Sequence, residues 1–92
     1  FNPLYNAHVV FTGNLSPLTR REAMQIVADL GGIPENTVTK STNFLVSGVQ
    51  DPTQIKGKYS KKQEKALKYQ KEGQDIAVID SVVFLDMIDD NN

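Results

Sequence analysis

His8-Val9-Val10-Phe11-Thr12-Gly13 is a β-branched and aromatic run closed by a glycine. It shows no clean alternation of apolar and polar residues. A strand with one wet face alternates, so this one reads as buried on both faces, as strands are inside a parallel sheet. Residues 1–6 before it read as a linker, with Asn2-Pro3 as a turn or extended element. After it, Gly13-Asn14 ends the strand, and Thr19-Arg20-Arg21-Glu22 forms a capping box that opens a helix. Ala23, Met24, Val27 and Leu30 follow at helical spacing. Gly31-Gly32 stops that helix, with one glycine in the left-handed position, and Pro34 prevents its continuation.

Further along, Thr37–Lys40 suits a short strand and Asn43–Ser47 a second, with Ser41-Thr42 between them. The glycine, proline and polar residues from Gly48 to Lys58 mark a loop. Ser60-Lys61-Lys62-Gln63 repeats the capping-box pattern ahead of a lysine-rich helix that reaches about Lys71 and is ended by Gly73. Ala77–Ile79 reads as a fourth strand. Asp80 suits the N-cap of a last helix, in which Val83, Phe84, Met87 and Ile88 take core spacing. The expected order is β-α-β-β-α-β-α, an α/β fold with a mostly parallel sheet covered on both faces. The expected core holds Val10, Phe11, Val27, Leu30, Phe44, Leu45, Val46, Val78, Ile79, Phe84 and Leu85.

With 92 residues, the chain suffices for one small domain, placed at 7–90 with a tail at 91–92, and not for a deep substrate cavity. It opens on Phe1 rather than methionine, so a domain of a longer protein is expected. Hydrophobic residues at 39% and charged residues at 23% are ordinary for a globular domain and argue against disorder. The longest apolar run is four residues, as in Val82 to Leu85, against about twenty for a spanning helix. The absence of cysteine excludes disulfides, thiolate metal sites and cysteine catalysis, and one histidine, His8, cannot build a histidine metal cluster. His8 heads a strand and reads as an edge residue rather than a base. No metal and no cofactor are expected.

Net charge is -1, but its distribution is uneven: seven lysines against three acids lie between Asp51 and Gln74, and five aspartates with no base follow from Asp75. A local positive field attracts phosphates, although a lysine run also reads as a solvated helix face. In a parallel sheet the ligand site lies beyond the carboxyl ends of the strands, where the strand order reverses. That rule singles out Thr12, with a hydroxyl, and Gly13, with an unobstructed N–H. Such a pair also serves as a plain turn. Arg20, one residue inside the first helix, and Lys65, one turn into the lysine-rich helix, supply a fork donor and a point charge. Nucleotide loops of the types G-x-x-x-x-G-K-[ST] and G-x-G-x-x-G are absent, and the acids are scattered rather than paired.

Taken together, V-V-F-T-G at 9–13, the helix ending at Gly31-Gly32, T-K-S-T-N-F-L-V-S-G at 39–48, Lys65-Ala66 and V-I-D-S-V-V-F-L at 78–85 resemble a BRCT domain from about Ala7 to Ile88. The resemblance implies a four-stranded parallel sheet in the order 2-1-3-4. The first and third helices would lie on one face and the second on the other. It implies a phosphate pocket of Thr12, Gly13, Arg20 and Lys65. The further lysines Lys40, Lys61 and Lys62 would add contacts to the DNA backbone. The resemblance implies a non-catalytic module, in the cytoplasm at the bacterial nucleoid, that binds 5′-phosphorylated DNA ends or nicks. Such single domains are attached to bacterial NAD-dependent DNA ligases, to exonucleases of the DNA polymerase III epsilon type and to the replication factor C large subunit. The opening F-N-P-L-Y and the loop through Asp51 and Lys58 point to the exonuclease-linked type. Tandem phosphopeptide-reading pairs usually carry a tryptophan in the last helix. This chain has none, and Phe84 or a neighbour takes its place in the core. Phosphoprotein binding, or plain docking to other repair and replication proteins with a vestigial pocket, is the alternative.

Overall fold

A computed structural model describes residues 3–15, 18–48 and 61–89 of the chain. Its elements are β1 (His8–Thr12), α1 (Arg20–Asp29), β2 (Ile33–Glu35), β3 (Phe44–Ser47), α2 (Lys61–Lys71), β4 (Ala77–Asp80) and α3 (Ser81–Asp89). The four strands form one parallel sheet in the order β2-β1-β3-β4. This is the α/β architecture expected, with three helices among the described residues.

The helix ends follow their sequence signals. Thr19 caps α1: its hydroxyl accepts the Glu22 N–H, and the Glu22 carboxylate accepts the Thr19 N–H. Those bonds hold the Glu22 carboxyl below its ordinary range. At the other end Gly32 N–H donates to Val27 O at 2.8 Å and Gly31 N–H to Ala28 O at 3.0 Å, a Schellman closure. It requires the left-handed φ of +87° that Gly31 adopts. Asp80 caps α3, its carboxylate accepting the Val83 N–H at 2.8 Å. Ser60, on which the second capping box rests, lies outside the described residues, as do residues 49–58 of the loop and the tail at 91–92. Thr19→Ala removes one arm of the α1 cap and is expected to lower stability by about 1 kcal/mol, read as a shift in the urea midpoint.

Alternate residues of the central strands feed two cores. Val9, Phe11 and Val46 face α1 and α3, together with Ala23, Val27 and Phe84. Val10 and Leu45 face α2, together with Val38, Ala66 and Ile76. The Phe11 and Phe84 rings meet edge to face, with centroids 5.2 Å apart. Leu4, in the stretch read as linker, is fully buried in the first of these cores.

Three expectations need correction. The second strand is Ile33–Glu35, not Thr37–Lys40. Backbone groups of the latter stretch are used locally: Thr39 N–H donates to the Thr42 hydroxyl, Thr42 N–H donates to Thr39 O, and the Gln74 amide donates to Thr39 O. Pro34 is tolerated in β2 because β2 is an edge strand. Ile33 N–H turns inward to Ala7 O, so the next residue faces the open edge, where no donor is required. Second, Val78 is 42% exposed, because β4 is the other edge strand and the groove between it and Leu67 of α2 is open. Leu30, Phe44, Ile79 and Leu85, expected in the core, are half-buried. Third, Val83 is exposed, leaving Phe84 as the buried residue of α3, with Met87 and Ile88 packed beside it.

Candidate functional site

The site lies at the carboxyl end of β1, and strand geometry explains why a lysine reaches it. In a strand, alternate residues direct their carbonyls to opposite neighbours. The His8 and Thr12 carbonyls turn toward β3, accepting from Asn43 N–H at 2.9 Å and Gly48 N–H at 2.7 Å. The Ala7 carbonyl turns toward β2, accepting from Ile33 N–H at 2.8 Å. Phe11 has the same sense as Ala7, but β2 ends at Glu35, opposite Val10. Its carbonyl therefore lies past the last rung of the ladder. The Lys62 ammonium takes that place, donating to Phe11 O at 2.9 Å. One residue on, the Gln63 amide donates to the Ser47 hydroxyl at the end of β3. The first turn of α2 is thus fastened to the carboxyl ends of both central strands.

Lys62 is half-buried, and its surroundings disfavour its charge. Partial burial is the main cause of a pKa below the ordinary lysine value of 10.5, and the positive charge of Arg20 is the second. Arg20 is the first residue of α1, at the helix end where a cation is unfavourable. Neither Arg20 nor Lys62 has a carboxylate partner among the described residues. The charge of Arg20 thus acts on Lys62 with no carboxylate among the described residues paired to either. Between its lowered value and 10.5 the unfolded chain binds more protons at Lys62 than the folded chain does. Stability contributed by this group should then rise with pH across that window. The rise is expected in wild-type protein and not in Lys62→Met, measured as urea midpoints over a pH series.

The structure brings some of the expected site residues together and not others. Thr12 is 7% exposed at the end of β1, and Gly13 follows it with a left-handed φ of +81°. Arg20, Lys61 and Lys62 lie at the same end of the sheet. Lys65 is exposed, one turn further along α2. Lys40 lies at the opposite end, because the chain between β2 and β3 crosses back to where β3 begins. There it lines a groove with Tyr69, Glu72 and Gln74. The lysine hydrogen-bonded at the strand end is Lys62, expected from the sequence on the DNA backbone. Helical spacing carries the signal: positions 62, 66 and 69 share the stripe that faces the sheet, with Ala66 buried and Tyr69 packed beside it. Among the described residues no group of three His, Asp or Glu is placed to hold a metal ion, and no helix is long and apolar enough to cross a membrane.

Residues 1–73 match the family model of the BRCA1 C Terminus (BRCT) domain. The chain is 32% identical over 89 residues to a DNA ligase of Brevibacillus brevis, an alignment covering 97% of this chain and 11% of the relative. It is 54% identical over 46 residues to a DNA ligase of Syntrophus aciditrophicus, covering 50% of this chain and 7% of the relative. A DNA ligase of a Hydrogenobaculum species is 47% identical over 51 residues, covering 55% and 7%. The aligned stretches amount to about a tenth or less of the length of these relatives.

Proposed function

The chain belongs to the BRCA1 C Terminus (BRCT) domain family, and from that premise we propose that it is a non-catalytic DNA-binding module of a DNA replication or repair protein. Its ligand is a phosphorylated DNA end or nick, held at the carboxyl end of β1. One observation carries this reading: the Lys62 ammonium is fastened at that strand end by its bond to Phe11 O, with the charge of Arg20 acting on it, and among the described residues neither cation has a carboxylate partner. A phosphate between them relieves the repulsion. An ammonium has three donors, and Phe11 O occupies one, which leaves two for phosphate oxygens. Thr12 and Gly13 border the same point, and Lys61 and Lys65 add a general field for the duplex backbone.

Ligation or any other chemistry belongs to other parts of a parent protein. The ligase names of the relatives favour attachment to a bacterial DNA ligase, acting in the cytoplasm. The exonuclease-linked alternative draws on the opening F-N-P-L-Y, of which Phe1-Asn2 lie outside the described residues, and on the loop at 51–58, which lies outside them entirely.

The test is a pair of anisotropy titrations on duplexes that differ only in a 5′-phosphate or a 5′-hydroxyl, at several salt concentrations. Preference for the phosphate by about tenfold or more, persisting as salt rises, is expected. Equal affinity would overturn the phosphate reading and favour a module that docks on other replication or repair proteins.

A further inference from the structure

Beside the strand end, a groove of about 520 Å³ runs between α1 and β2. Its floor is Met24, Ala28 and Pro34, and Arg20, Arg21 and Asn36 lie on its rim. Arg20 belongs both to this groove and to the candidate phosphate site, so the two are continuous. We propose that the groove holds the first unpaired nucleotides that follow a phosphorylated 5′ end, with the backbone along the arginine rim and the bases against the apolar floor. The inference rests on the phosphate reading of the site.

Charge is the first argument. None of the three carboxylates of the α1–β2 unit lines the groove: Glu22 bonds in the helix cap, Asp29 accepts from the Gln25 amide at 3.0 Å, and Glu35 lies 3.1 Å from His8 Nδ1. Arg20 and Arg21 have no carboxylate partner among the described residues. The lining of the groove thus carries two guanidinium groups and no carboxylate above an apolar surface, which suits phosphates along the rim and bases on the floor. The edge of β2 is the second argument. An extended peptide would dock by adding a strand to that edge, where main-chain hydrogen bonds supply the affinity. Pro34 is the residue of β2 that faces outward, and it has no N–H to offer. An added strand would lack its central donor, whereas a nucleotide chain asks for none. The lysine face of α2 offers charge on a convex helix without such a floor.

The experiment compares phosphorylated blunt ends, phosphorylated ends with a short 5′ overhang, and the same pair with 5′-hydroxyls. The proteins are wild type, Arg21→Gln, Ala28→Glu and, as a control on α2, Lys68→Gln. All three positions are exposed, and thermal melts confirm folding. In the wild type the overhang should tighten binding of the phosphorylated end by roughly tenfold. Arg21→Gln and Ala28→Glu should lose that gain and keep the phosphate preference on blunt ends, while Lys68→Gln keeps both. A phosphate preference with no overhang gain, or a gain untouched by both groove variants, overturns the groove and leaves the phosphate site standing. No phosphate preference at all overturns both. If instead an acidic peptide binds wild type but not Arg21→Gln, and the overhang gives no gain, the groove belongs to a protein partner and the proposal fails.

Discussion

Truncating Phe84 to alanine is expected to lower stability by about 3–5 kcal/mol. The ring is 1% exposed and stacks edge to face on Phe11, so its removal opens a cavity where α3 meets the sheet. Neighbours cannot close it readily. Val82 and Val83 on the same helix face outward, at 65% and 42% exposure, and Met87 and Ile88 are only partly buried. A small domain has a total stability of about 5–15 kcal/mol, so this single change removes a large fraction of it. Urea titration of both proteins measures the loss. A cost below about 1 kcal/mol would mean that α3 is not fastened through Phe84.

The second large effect concerns binding. Lys62→Met keeps an unbranched side chain of similar reach and removes the ammonium. It should abolish a charge-assisted contact worth about 1.5–3 kcal/mol, roughly ten- to a hundredfold in affinity for a phosphorylated end. The variant also leaves Phe11 O without its donor, so thermal melts must accompany the titrations. Lys65→Met, one turn further along an exposed face, should weaken phosphorylated and unphosphorylated ends alike and slightly reduce the salt slope.

Much of the fold was legible because its signals are local. The Thr19–Glu22 box, the Gly31-Gly32 stop and the Asp80 cap each act within a few residues of themselves. The unbroken apolar run at Val9–Phe11 told of a strand covered on both faces. The second strand was misplaced because its short stretch, Ile-Pro-Glu, carries a proline and no β pattern. Only its position at the sheet edge makes that sequence acceptable. Val78 looked like core because its neighbours are apolar, but exposure at an edge strand is set by what lies beside it.

The candidate site was legible in place more than in detail. Strand-end logic and family resemblance both led to Thr12 and Gly13. That Lys62 bonds at the strand end depends on the rotation of α2 about its axis, which follows from the buried stripe at Ala66 and Tyr69. Lys40 was grouped with the other lysines by charge alone, whereas the crossover from β2 to β3 carries it to the far end of the sheet.

The most direct measurement is the ratio of affinities for 5′-phosphorylated and 5′-hydroxyl ends, at fixed salt, in wild type, Lys62→Met and Lys65→Met. The expected ratio is about ten or more in wild type, near one in Lys62→Met, and close to wild type in Lys65→Met. A folded Lys62→Met protein that keeps the wild-type ratio would contradict the phosphate reading.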